Sequence, residues 1–267
     1  MDTSSTGARP LAVVTGASSG IGRELARELG ERGFDLVVAA EDAELAQAAT
    51  ALRSTGADVV EVRGDLATAD GVEGLVDAVR ATGRPVDALA INAGIGVNGA
   101  FIETALDDHL QLVELNVTGA VRLAHRLLPA MAARGQGRVL FTSSVAATMP
   151  GPYQSTYNAS KSFLYSFSQA LRTELADSGV TVTALMPGPT DTEFFERADM
   201  EDTKLGQSKK DDPADVARDG IEAMMAGKDH VVAHGLRNKV QVAATKLTPD
   251  RVVSAAHAKM AEPGSGD

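Results

Sequence analysis

The chain has 267 residues, 44% of them hydrophobic and 23% charged, enough apolar material for one full α/β domain. Its formal net charge of −11 argues against a general nucleic-acid binder, which needs cations against phosphate, and against docking on an anionic membrane surface. There is no cysteine, so disulfides and thiolate metal sites are excluded and a cytoplasmic setting is expected.

Residues 1–10 are rich in Ser, Thr and Gly and show no cationic stretch followed by an apolar one, so no secretory leader is expected. No apolar run approaches the roughly 18 residues of a membrane span. The first structured element is the apolar run Leu11-Ala12-Val13-Val14, which reads as a buried strand ending at Thr15-Gly16. Ile21, Leu25 and Leu29 then recur at helical spacing, and Gly33 closes that helix. A second strand over 35–40, a helix over 44–53, a third strand over 59–62 and a helix over 72–81 follow. A fourth strand over 88–91 leads into a long helix over about 105–133, with a break expected near Gly119. A fifth strand spans 138–141, and a Gly/Pro/Ser-rich loop runs over 143–155. A helix over 157–176 carries Phe163, Phe167 and Leu171 at helical spacing, and a sixth strand over 180–186 stops at Pro187-Gly188. Residues 213–225 read as a helix and 230–233 as a short final strand. The pattern over 239–261 is weakly helical.

Strand and helix alternate six times without a linker or repeat. This predicts a doubly wound parallel sheet of about seven strands, Rossmann-like, with helices on both faces. The expected organisation is a flexible tail over 1–9, one domain over 10–262 and a tail over 263–267. Within the domain the polar, charged segment 191–212 reads as a mobile loop or short helix inserted after the sixth strand.

Two constellations carry chemistry. In Thr15-Gly16-Ala17-Ser18-Ser19-Gly20-Ile21-Gly22, three glycines join the first strand to the first helix. Glycine lets the backbone approach a ligand, and a helix N-terminus offers free N–H groups to a pyrophosphate. The spacing is neither G-x-G-x-x-G nor a Walker loop. At the second strand's tip, Ala39-Ala40-Glu41-Asp42 has no Arg or Lys; Glu41 would repel a 2′-phosphate, so the sequence leans towards NAD(H) over NADP(H). Glu41 and Asp42 also suit a plain helix start, where the dipole favours acids.

Further along, Tyr157 and Lys161 stand four apart and share a helix face. Carbonyl reduction needs a proton for the developing alkoxide, and a neighbouring ammonium moves a phenol closer to its working pH. Ser144, at the end of the fifth strand, can hydrogen-bond the substrate oxygen. A lone Tyr-x-x-x-Lys is usually a packed ring and a solvated amine. Its occurrence together with the glycine loop, at the same sheet edge, favours catalysis. The five His show no zinc spacing, so no metal is expected.

These residues resemble the short-chain dehydrogenase/reductase family in its single-domain form, from Leu11 to about Ala233. The resemblance implies that Gly16, Ser18, Ser19, Gly20, Ile21 and Gly22 hold the pyrophosphate, and that Asp65 and Leu66 flank the adenine. Asn92, Ala93 and Gly94 would support the sheet beside the ribose. Pro187, Gly188, Thr190 and Thr192 would contact the nicotinamide end. It assigns catalysis to Asn116, Ser144, Tyr157 and Lys161. Tyr157 would be the general acid/base and Lys161 would bind the nicotinamide ribose; Asn116 would hold a relay water. Two positions depart from the family pattern: Ile91 stands where a second Asn is common, and Ala40 where NAD users often carry Asp. The resemblance implies a small carbonyl or alcohol as partner and a substrate lid over 191–212, with an exposed connection as the alternative for that segment; pocket walls are expected in 94–101, 146–153 and 192–200, where Phe194, Phe195 and Met200 are candidate lining residues. A homodimer or homotetramer packed through 107–133 and 157–176 is also implied. A catalytically silent cofactor-binding sensor, or a sugar-nucleotide epimerase on a related fold, are the competing readings.

Overall fold

A computed structural model describes residues 8–245 and 248–266. The strands are β1 (Leu11–Thr15), β2 (Asp35–Ala40), β3 (Val59–Arg63), β4 (Val86–Ile91), β5 (Gly137–Thr142), β6 (Val180–Met186) and β7 (His230–Val232). They pair in parallel in the order β3-β2-β1-β4-β5-β6-β7. The helices are α1 (Gly20–Glu31), α2 (Glu44–Leu52), α3 (Ala69–Ala81), α4 (Leu106–Val113), α5 (Ala120–Arg134), α6 (Ser155–Glu174), α7 (Phe194–Arg197), α8 (Pro213–Met225), α9 (Leu236–Thr245) and α10 (Asp250–Ala261). The seven-stranded doubly wound sheet expected from the alternation is therefore present.

Successive strand residues point to opposite faces, so continuous apolar runs such as Leu11–Thr15 must be covered on both. Ala12 and Val14 pack with Leu36, Val38 and Leu140 under Leu25 and Leu29 of α1 and Ile221 of α8. Leu11 and Val13 face the other way, with Val37, Leu89 and Phe141, under Leu75 of α3, Leu123 of α5 and Leu164 of α6. Replacing fully buried Leu25 or Leu140 with Ala should cost about 2–5 kcal/mol, transfer and cavity terms together.

The chain order reverses beside β1, which neighbours β2 on one side and β4 on the other. A crevice forms at the carboxyl ends of the strands at such a switch point. The long helix does not break at Gly119. It widens into a π-helical turn over Glu114–Gly119 between α4 and α5. A Cβ at Gly119 would lie 2.3 Å from the Leu66 carbonyl oxygen, so glycine is required there for close packing.

Two expected tails are anchored where they are described. Arg9 is fixed at the amino edge: its guanidinium donates to the carbonyls of Gly30 (3.1 Å), Gly33 (3.1 Å) and Gly56 (2.7 Å). Residues 1–7 lie outside the described residues. At the other end, Gly264 N–H donates to Asp202 Oδ2 and Gly266 N–H to Asp202 O, each at 2.8 Å. Asp267 is outside the described residues. Segment 191–212 is an excursion closed at its neck, where Asp211 N–H donates to Pro189 O (2.8 Å) and Asp191 N–H to Asp211 O (2.9 Å). The weakly patterned 239–261 region resolves into parts of α9 and α10, separated at Pro249. Among the described residues no helix is long and apolar enough to cross a membrane.

Candidate active site

A cavity of about 560 Å³ runs along the carboxyl edge of the sheet, from the tips of β2 and β3 to the loops after β5 and β6. The expected phosphate loop forms one end. Gly16 (φ +65°) and Gly20 (φ +52°) adopt left-handed backbone that L side chains disfavour. A Cβ at Gly22 would fall 1.9 Å from the Gly16 carbonyl oxygen, so α1 can reach the loop this closely only with glycine there. Ser19 caps α1 in extended backbone without a side-chain bond, leaving the first-turn amides to another acceptor. Gly20 closes against Thr192, whose Cγ2 would lie 2.9 Å from a Cβ. The glycine loop and the Pro187–Thr192 turn therefore meet across the cleft.

Gly16, Ser18, Ser19, Gly20, Ile21, Gly22, Glu41, Asp65, Leu66, Asn92, Ala93, Gly94, Pro187, Gly188, Thr190 and Thr192 all line this cavity. Asn92 joins three strands. Its backbone N–H donates to Thr15 Oγ1 (2.9 Å), its amide to Thr15 O (3.1 Å), and its Oδ1 accepts from Thr142 Oγ1 (2.9 Å). A single Asn at this position thus holds the sheet edge, with Ile91 buried in the core before it.

At the other end, Ser144, Tyr157 and Lys161 line the same space. Ser144 lies two residues past β5 and caps a short 3₁₀ turn, its Oγ accepting from Ala146 N–H (3.1 Å). Lys161 is buried; its Nζ donates to Thr142 O (3.0 Å) and sits 5.7 Å from the Tyr157 ring centroid. Burial pushes the Lys161 ammonium down to about 8. Burial pushes the Tyr157 phenol up to about 12, partly offset by the neighbouring Ser144 hydroxyl. Asn116 is fully buried in the π-helical turn. Its Oδ1 accepts from Ile95 N–H (2.9 Å), and its amide donates to Ile95 O (2.9 Å) and Ser160 Oγ (3.1 Å). A Cβ on Gly94 would contact both Asn116 Oδ1 (3.0 Å) and Lys161 Nζ (3.3 Å), so these two polar groups flank one glycine.

Several residues depart from expectation. Phe194 and Phe195 line the cavity, but Met200 is fully buried behind it with Phe195 and Ala198, its sulfur accepting from Gln154 Nε2 (3.0 Å). Tyr153 turns away from the cavity and donates to Glu262 Oε1 (3.3 Å), and Phe101 is exposed. At the β2 tip Glu41 is exposed, whereas Asp42 faces the loop. Asp42 Oδ2 accepts from Ser18 Oγ (2.8 Å), and Asp42 Oδ1 is buried with no partner among the described residues. Cations also reach this tip from elsewhere. Arg63, paired with Ala40 across the sheet, donates to Glu41 O (2.9 Å), and Arg197 of α7 stands 3.8 Å from Asp42 Oδ2. The sequence around β2 could not reveal them, because they arrive by strand register and by the excursion. It also missed Val253, Ala256, His257 and Met260 of α10, which line the same cavity.

The sequence profile described as short chain dehydrogenase matches residues 10–203. The chain belongs to the short-chain dehydrogenase family. This dehydrogenase is 38% identical over 185 residues to a putative ketoacyl reductase of Streptomyces coelicolor, covering 68% of this chain and 71% of that protein. Its fold superposes on a short-chain dehydrogenase from Sphingobium yanoikuyae in complex with NADPH, with a TM-score of 0.79 and 28% identity over 89% of this chain and 94% of that one. A short-chain dehydrogenase/reductase from Burkholderia phymatum in complex with NAD gives 0.80 and 27%, over 90% and 92%. The dehydrogenase is accordingly an NAD(P)-dependent oxidoreductase acting on CH–OH and C=O groups. The residues present fit a dinucleotide. The cleft is continuous from the β2 tip to Tyr157, the glycine cradle would be filled by any Cβ, and Asp42 keeps an unpaired buried acceptor.

Proposed function

We propose that this dehydrogenase interconverts a small carbonyl compound and its secondary alcohol, with Tyr157 as the general acid/base. The observation that carries this reading is the convergence of Ser144, Tyr157 and Lys161 on the cavity that also contains the glycine loop. The bound nicotinamide supplies or takes up the hydride. In reduction Tyr157 donates its phenolic proton to the substrate oxygen as hydride reaches the carbon, and in oxidation it takes that proton back. Ser144 donates a hydrogen bond to the same oxygen as negative charge develops. Lys161 binds the nicotinamide ribose and, as an ammonium, opposes the burial that holds the Tyr157 phenol high. Asn116 holds a water beside Lys161 for proton exchange with solvent. The expected residues from Gly16 to Thr192 bind the dinucleotide, with Asp42 joining Glu41 at the adenosine ribose.

The preferred cofactor is NAD(H). Asp42 supports this reading, since its buried, unpaired Oδ1 can accept from a 2′-hydroxyl and repels a 2′-phosphate. Arg63 and Arg197 favour the opposite choice, and titration of the protein with NADH and NADPH, followed by thermal shift, decides between them. Tighter NADH binding is expected; tighter NADPH binding reverses the preference, and binding of neither contradicts the reading as a whole. The active form is a homo-oligomer. Leu106, Leu110 and Val113 of α4 recur on one exposed face, and Ile102 beside them is 91% exposed.

A further inference from the structure

Helix α10 is the least expected wall of the cavity, and it is held firmly in place. Its Met260 carbonyl accepts from Leu205 N–H (2.9 Å) in the excursion. Just beyond it, Glu262 accepts from Tyr153 Oη, and Ser265 Oγ accepts from Lys204 N–H (3.1 Å). Met149, Phe194, Phe195 and Leu205 line the same cavity. Val252, Val253, Ala256 and Met260 line it from α10, so this part of the cavity wall is largely apolar.

His257 is the exception on α10. It lines this cavity, yet its Nε2 is shielded from solvent and has no hydrogen-bond partner among the described residues. A buried polar atom without a partner costs free energy, and one closed to water meets a ligand in the cavity only when the ring turns. Rotating the ring about χ2 exchanges nitrogen and carbon positions, so either ring edge can offer a nitrogen to a molecule in the cavity. We propose that His257 is a substrate-recognition residue that hydrogen-bonds a second oxygen of the substrate, away from the reacting carbon. The favoured substrates are then ketones or alcohols with an apolar body and an additional uncharged carbonyl or hydroxyl. A neutral second group fits better than a carboxylate, because burial lowers the His257 pKa and so disfavours the imidazolium a carboxylate would call for. No Lys or Arg lies among the described α9 and α10 residues that line the cavity.

This inference rests on the cavity being the reductase's substrate pocket, and the test separates the two ideas. Ethyl 3-oxohexanoate and nonan-4-one have the same chain length and differ in the ester group. The ratio of their kcat/KM values, measured with saturating reduced cofactor and compared between wild type and variants, cancels their intrinsic difference in reactivity. His257→Leu should lower the ratio of keto ester to plain ketone about tenfold, mainly through KM, the worth of one well-placed hydrogen bond. His257→Gln, which keeps donor and acceptor atoms, should recover part of it. A ratio unchanged in His257→Leu would overturn the recognition role while leaving the reductase reading intact. Turnover of neither ketone by the wild type would overturn both.

Discussion

At the residue scale, burial shifts the two ionisable groups of the site in opposite directions. Lys161 is pushed down to about 8, so it carries its charge below that pH and loses it above. Tyr157, pushed up to about 12, keeps its proton throughout the neutral range. Both are protonated below about pH 8, the state that suits proton donation to a carbonyl. Reduction should therefore be fastest on the acid side of about 8, with kcat/KM falling as Lys161 discharges. In Lys161→Met the fall near 8 should vanish along with most of the activity; a pH profile that keeps the same limb would assign it to another group. Stability without cofactor runs the opposite way with pH. The folded chain binds less proton at Lys161 than the unfolded one between about 8 and 10.5, so this residue's contribution rises with pH over that window. Cofactor choice is also decided here. Asp42→Ala should weaken NADH more than NADPH, and Glu41→Ala should do less, because Glu41 is exposed while Asp42 is turned inward. Equal loss for the two cofactors in Asp42→Ala would remove Asp42 from the ribose site. The Tyr157–Lys161 pair was legible because four residues along a helix fix a shared face. Asp42 was not, because which of two adjacent acids turns inward depends on how the chain leaves β2.

At the element scale, the strands and the helices over them were legible because each apolar run or 3.6-residue stripe must be buried on a face of its own. The π-helical turn was visible only as a break at Gly119, since the extra backbone width at Glu114–Gly119 serves Asn116 rather than any apolar period. Helix α10 was indistinct for a related reason: it packs against a cavity and an excursion, with Ala261 its one fully buried residue, so no strong stripe is required. Its attachment can be tested by itself. Asp202 receives the amides of both Gly264 and Gly266, the first through its side chain. Asp202→Ala should speed hydrogen exchange at residues 260–266 and in the excursion around residue 204, leaving β1 and α1 unaffected. Unchanged protection would mean that the other contacts of α10 suffice to hold it.

For the whole molecule, the parallel sheet places every chemically useful residue at one edge, which is why distant segments such as Ser18, Asn92, Tyr157 and Thr192 share one cleft. Fold class and cleft followed from the alternation of elements. The exposed apolar row of α4 extends the account to assembly: a lone chain presenting Leu106, Leu110 and Val113 to water would be prone to association. Sedimentation should show a dimer or tetramer at micromolar concentration, and Leu106→Glu with Leu110→Glu should shift it towards monomer; a monomeric wild type would refute the assembly. The central claim, a reductase in which Tyr157 moves the proton, is tested most directly by ketone-dependent oxidation of NADH or NADPH in wild type and Tyr157→Phe. The account predicts turnover by the wild type and a loss of about 10²–10⁴-fold in kcat for Tyr157→Phe with cofactor affinity retained. Equal turnover by the two proteins, or firm cofactor binding by the wild type with no turnover of any carbonyl compound, would contradict it.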